Sequence, residues 1–294
     1  MRLPQADPRG NKSPGCPGTR SHGIDITYQG MRRRFFVERF EGGAAVLRGE
    51  AAHHLGRVLR AEQGQLYELS DGESVWLART QGVGDDAVEF ALIERLPARP
   101  APLRITLLLA IVKFDRFEWA IEKATELGAD EIVPLAAGRS EKGLVAASMK
   151  RAARWEKILM ESAQQSRRLR VPVLHDAARP RDAFRAADAQ VRFLLSERAG
   201  AKPMRDLLEP AAAAVRDGEP VNLAIAIGPE GGWTDAEFAA GLGSGFAETA
   251  LGVNILRTET AVCAALAAAQ YAFGAFRQSD KPAGPGTEVK EGTA

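Results

Sequence analysis

In the C-terminal two thirds of the chain the apolar positions come in short runs separated by stretches of helical spacing. Ile105 to Val112 is one such run. Glu131 to Leu135, Pro172 to His175, Val191 to Leu195 and Val221 to Ile227 repeat the pattern in shorter form. Runs of this length, bounded by polar or glycine-containing segments, predict buried strands. Between them, Phe117 to Leu127 (with Gly128 as its C-cap), Met149 to about Arg168, Pro180 to Ala187 and Met204 to Leu208 predict helices. Such alternation implies an α/β domain, a parallel sheet covered by helices on both faces.

The preceding stretch is patterned differently. Arg34 to Phe40, Leu66 to Leu69, Ser74 to Thr80 and Ala87 to Ile93 read as strands. Asp71-Gly72 marks a hairpin, Gly82 to Asp86 a longer turn, and Glu50 to Arg60 a helix with Leu55 and Leu59 on one face. These parts predict a small β-barrel with an inserted helix. Pro97-Ala98-Arg99-Pro100-Ala101-Pro102 is a stiff, extended linker. The expected organisation is a barrel over 31–97, a linker over 98–103 and the α/β domain over 104–277. Residues 1–30, rich in Gly, Pro, Ser and Arg, are expected to be a disordered extension or a misassigned start before Met31. Residues 278–294 are expected to be a disordered tail.

The chain is organised around two turns. After the Val221 to Ile227 run come Gly228-Pro229-Glu230-Gly231-Gly232-Trp233-Thr234, and Thr234 with Glu237 spells a capping box. Leu251-Gly252-Val253-Asn254-Ile255-Leu256-Arg257-Thr258-Glu259-Thr260 repeats the plan, with Thr258 expected to cap a long Ala-rich helix. Glycine turns side by side at the carboxyl ends of strands frame a ligand crevice. No Lys and Ser/Thr pair follows Gly232, so a Walker A loop is excluded; Gly-x-Gly-x-x-Gly is absent, and Glu230 would repel a pyrophosphate. A ligand with a cationic centre suits an acidic turn better. The same residues also fit two tight turns with capped helices and no ligand at all.

Composition narrows the classes. The 294 residues carry 39 Lys+Arg against 38 Asp+Glu, so any nucleic-acid footprint is local rather than global. The two cysteines, Cys16 and Cys263, give no disulfide framework, and no apolar run is long enough for a bilayer. A cytoplasmic enzyme with no membrane partner is the expectation. Arg32, Arg33, Arg34, Arg57 and Arg60 fit either a phosphate-binding face or an ordinary solvated surface. The segment Met149 to Pro172 is locally basic, again as an RNA face or a solvated helix. His53 and His54 have no Cys, His or carboxylate partners at ligand spacing, so no metal site is expected; His54 packs or touches RNA.

The motifs Ile227-Gly228-Pro229-Glu230-Gly231-Gly232-Trp233 and Leu251-Gly252 through Ile255-Leu256-Arg257-Thr258-Glu259-Thr260-Ala261 resemble the signature of the RsmE family. These are small-subunit rRNA methyltransferases of the SPOUT superfamily. The resemblance runs from about Met31 to Phe276. It implies a PUA-like N-terminal barrel, a C-terminal trefoil knot and a homodimer. It also implies S-adenosyl-L-methionine as cofactor and N3 of a uridine in 16S rRNA, in the assembled small subunit, as acceptor.

The expected cofactor residues are Leu195, Ser196, Gly228, Glu230, Gly231, Gly232, Leu251, Gly252, Ile255, Leu256 and Thr258. The RNA-binding set is Arg32, Arg33, Arg34, His54, Arg57, Arg60, Arg168 and Arg170. N3 of uracil carries a proton, so the site needs either a general base, Glu230 or Glu259, or an arginine, Arg257 or Arg168, that stabilises charge on the uracil oxygens. The second is favoured, because Arg presents fixed donors to planar oxygens. Gln164 stands where the family has an acid, Arg167 where it has Gly, and Val253-Asn254 where many relatives have Pro-Arg. Ribose 2′-O-methylation, or an RNA-binding assembly factor without catalysis, remain the alternatives.

Overall fold

The computed structural model describes residues 33–98, 101–213 and 220–274. Arg32, the start at Met31 and both expected disordered ends lie outside them. The described residues belong to one compact unit.

The first sheet is built from β1 (Arg34–Phe36), β2 (Ala44–Arg48), β3 (Leu66–Ser70), β4 (Val75–Val83) and β5 (Ala87–Leu96), in the order β1-β3-β4-β5-β2. All neighbours are antiparallel except β1 and β3. Phe35, Leu47, Leu55, Leu69, Val88 and Phe90 form its own core. The predicted strand Arg34 to Phe40 stops at Phe36, and β2 has no counterpart in the sequence reading. Its Ala-Ala-Val-Leu-Arg run is too short and too weakly alternating to stand out. The predicted helix is α1 (Gly49–His53), which passes directly into a π-helical turn over His54–Val58.

The second sheet takes β6 (Leu103–Ala110), β7 (Ala129–Leu135), β8 (Val173–Leu174), β9 (Val191–Leu195), β10 (Lys202–Pro203), β11 (Val221–Ile227) and β12 (Ala247–Ala250). The order is β10-β12-β9-β11-β6-β7-β8, and every pair is parallel. The helices between them are α2 (Phe114–Glu126), α3 (Lys142–Ser148), α4 (Ala152–Gln165, entered through a 3-10 turn at Met149–Arg151), α5 (Pro180–Ala186), α6 (Met204–Ala213), α7 (Asp235–Gly243) and α8 (Thr258–Ala272).

The two faces of this sheet are not equivalent. Ile105, Leu107, Leu109, Leu223, Ile225 and Ile227 point to one face, where Phe117, Trp155, Leu159 and Leu266 meet them. The alternate positions of β11 are Ala224 and Ala226, and that face is filled from outside by Phe184, Trp233, Phe238 and Phe246. A strand buried on both sides reads as a continuous apolar run, as these do. Small residues on one face leave room for the aromatic layer that carries Trp233.

Candidate functional site

Because the sheet is parallel, its carboxyl ends share one edge. The turns after β9, β11 and β12 therefore lie together at a position where open α/β sheets hold ligands. Three side chains tie these turns to one another. Trp233 Nε1 donates to the Leu195 carbonyl at 2.9 Å, joining the turn after β9 to the glycine turn. Thr258 Oγ1 donates to the Gly228 carbonyl at 3.2 Å, joining the glycine turn to α8. Arg139, in the loop after β7, donates to the Gly231 carbonyl at 2.7 Å. A Cβ on Gly228 would lie 3.0 Å from Trp233, so the indole itself demands glycine there; Gly232 has φ +70°.

Thr234 and Glu237 form the expected capping box of α7. Glu237 does more than cap, since its Oε1 accepts from the Gly138 backbone N–H at 2.7 Å. The capping expectation for Thr258 is corrected. The cap position of α8 is Arg257, with no side-chain capping bond, and Thr258 is the first helical residue. Its hydroxyl donates across to the Gly228 carbonyl just after β11.

Glu230 is half exposed and ion-paired with Arg116 of α2, which also stands 3.9 Å from Glu259. The second oxygen of Glu259 is buried and has no donor among the described residues. Arg257 is exposed, and its guanidinium makes no hydrogen bond or ion pair with another described residue. Leu195 is buried, Leu251 and Leu256 pack partly against the main core, and Ile255 stands 78 % exposed beside a fully exposed Val253. Ser196 Oγ accepts from the Arg198 N–H, and Gly252 is open. Arg116, Arg139 and Trp233 are the site residues that sequence reasoning missed. Only Trp233 lay inside a motif; the arginines come from α2 and from the loop after β7 and carry no local signal.

Arg168 is not brought to this edge. It donates to Asp130 at 2.6 Å and to the carbonyls of Thr125 and Ala129, where α2 ends and β7 begins. That is the amino edge of the sheet, a strand length of roughly 20 Å from the glycine turns. Burial lowers its pKa and raises that of Asp130 against the pull of the ion pair. Its guanidinium is committed to the fold, which argues against Arg168 as the residue that activates the acceptor or grips RNA. Arg34 and Arg170 are also engaged, Arg34 with Glu68 and the Arg167 carbonyl, Arg170 with the Gly72 carbonyl. Arg57 pairs with Asp85 at the surface, Arg33 and Arg60 are exposed, and His54 is half buried.

Comparison with known proteins matches residues 99–270 to the RNA methyltransferase domain model. The chain is 31% identical to the ribosomal RNA small subunit methyltransferase E of Bacillus subtilis over 248 residues, 81% of this chain and 96% of that protein. The chain belongs to the ribosomal RNA small subunit methyltransferase E family. Another member, from Synechocystis, is 33% identical over 73% of this chain and 69% of its own. A solved structure of the family, from Neisseria gonorrhoeae and bound to S-adenosyl methionine, superimposes with a TM-score of 0.71 at 28% identity, covering 83% of this chain and 99% of that one. A Legionella pneumophila methyltransferase holding the same cofactor gives 0.68 at 32% identity, covering 82% and 97%.

Proposed function

We propose that this member of the methyltransferase E family transfers a methyl group from S-adenosyl-L-methionine to N3 of a uridine in 16S rRNA of the small ribosomal subunit. The observation that carries the reading is the convergence of three turns, after β9, β11 and β12, cross-linked by Trp233 and Thr258 at one sheet edge.

The residues present fit the cofactor. Leu195 and Ser196, Gly228 to Gly232, and Leu251 to Leu256 offer backbone donors and acceptors with apolar walls, and Glu230 supplies negative charge suited to a cationic ligand. The cofactor brings an electrophilic methyl group on a sulfonium. The chain's task is to hold the acceptor in line and exclude water. The base must be unpaired or flipped to expose N3. Arg257, with its guanidinium uncommitted at the start of α8, stabilises the negative charge left on the uracil oxygens when N3 gives its proton to solvent water. Glu230 is held by Arg116, which favours a binding role for it over that of a base.

The five-stranded sheet is read as a PUA-like RNA-binding barrel and the C-terminal segment as a trefoil knot. The active enzyme is read as a cytoplasmic homodimer working on the assembled subunit. Exposed Val253 and Ile255, in the loop before α8, support a second copy covering that loop. No helix among the described residues is long and apolar enough to cross a membrane.

The test is calorimetric titration with S-adenosyl-L-methionine beside a Gly232→Arg control, followed by mass spectrometry of rRNA after incubation with subunits. Saturable binding lost in the control, and a base-methylated uridine, are expected. Arg257→Ala should keep cofactor binding and lose transfer. Ribose methylation, or no binding at millimolar cofactor with RNA present, would overturn the proposal.

A further inference from the structure

The first sheet meets the second half of the molecule along a row of polar contacts. On edge strand β1, Arg34 sits in register with Glu68 of β3. Its Nε and Nη2 both donate to Glu68 Oε2, at 3.2 and 2.9 Å, which aims Nη1 at the Arg167 carbonyl, 2.6 Å away. The other Glu68 oxygen faces the Arg167 guanidinium at 3.6 Å. Two residues along, on the same face of β3, the fully buried Ser70 donates to the Leu169 carbonyl at 2.7 Å. Beyond it, Arg170 donates to the Gly72 carbonyl. Residues 34 and 68, 70 and 72 thus engage 167, 169 and 170 in sequence.

Arg167 has φ +54°, a conformation that L-residues rarely adopt. It is the left-handed residue that ends α4, where the Arg168 N–H closes a Schellman turn on the Ala163 carbonyl at 3.0 Å. Here its carbonyl and its guanidinium are both claimed by the Arg34–Glu68 pair. Directional bonds of this kind fix one register, whereas an apolar contact tolerates sliding. The apolar contact is in any case incomplete: a groove of about 400 Å³, lined by Phe36, Val37, Gly72, Arg170 and Val171 among others, runs along the same seam.

We propose that Arg34, Glu68 and Arg167 form a rigid bracket that holds the five-stranded sheet at a set distance from the cofactor turns, making them positioning residues for the RNA. The inference rests on the reading above, in which the barrel grips RNA while the turns hold the cofactor. With the two halves fixed in advance, less orientational freedom is lost when one RNA segment engages both.

The test uses the full chain with Cys16→Ser and Cys263→Ser, and spin labels at Asp86→Cys and Asp188→Cys, diluted into excess unlabelled protein so that only distances within one chain are read. A single narrow distance distribution is expected, broadened by Arg34→Ala and by Glu68→Gln. In unlabelled protein the same changes should raise KM for ribosomal subunits by about ten- to a hundredfold, leaving kcat and cofactor affinity within about twofold. Arg34→Lys, which cannot serve both partners, should fall between. If Arg34→Ala does not fold, Ser70→Ala removes one bond of the row and must still broaden the distribution.

Unchanged distances in the variants would overturn the bracket, as would broadened distances with an unchanged KM. Should the parent chain methylate no RNA, the proposed function fails on its own. The distance distributions then still decide whether the bracket is rigid, and a distribution already broad in the parent chain would sink it.

Discussion

Gly228 and Trp233 meet at the tightest point of the candidate site. A methyl group at Gly228 would press on the indole at 3.0 Å, and that indole also holds the Leu195 carbonyl. Gly228→Ala should therefore cost about 1–3 kcal/mol of stability and weaken cofactor binding, checked by urea denaturation beside calorimetry. Arg168 belongs to a different ledger. Arg168→Ala leaves a partly buried carboxylate at Asp130 with the Ile105 N–H but no cationic partner, and frees two backbone carbonyls, so a loss of about 3 kcal/mol is expected, the low end because the Asp130 side chain is 35% exposed. The folded fraction should bind cofactor normally; a specific loss of methyl transfer with stability intact would return Arg168 to the chemistry. The motif match singled out Arg168, but a motif does not say which end of a sheet its arginine reaches.

At the scale of elements, the capping box was legible because it is local: Thr234 and Glu237 are close in the chain and need nothing else to find each other. Thr234→Ala is expected to cost about 1 kcal/mol. Glu237→Ala should cost more, since it also releases the Gly138 N–H and with it the loop that carries Arg139 to Gly231. A denaturant series comparing the two variants checks the order. The start of α8 was misread for the converse reason. Thr258 satisfied the local pattern of a cap, yet its backbone is already helical, its hydroxyl donates to a carbonyl thirty positions away, and Arg257 stands at the cap with its guanidinium free. Strands β9 and β11 fall where the apolar runs place them, at Val191–Leu195 and Val221–Ile227, because burial on both faces leaves an uninterrupted run. The short β2 and the helix α3 escaped, each lacking enough length for its period to show.

For the whole molecule, exposed Trp119 on α2 and Tyr271 on α8 lie on helices that pack against one another, and α8 begins just after the loop with Val253 and Ile255. If a second copy covers this region, Trp119→Glu combined with Tyr271→Glu should shift the protein toward monomer in sedimentation velocity while its helical content is kept; an unchanged sedimentation coefficient would remove this face from the interface. The amino-acid sequence by itself determined the parallel α/β class, the glycine turns and the family, since these rest on apolar periodicity, on residues a few positions apart, and on motifs carried intact. Only the tertiary structure decided which arginines lie against the glycine turns and which are held elsewhere. Arg116 and Arg139 arrive at the glycine turn from other elements, while Arg168, Arg34 and Arg170 are consumed by contacts elsewhere. A charged side chain acts where its partners are, and those partners are set by how the strands are ordered across the sheet, which no local pattern records.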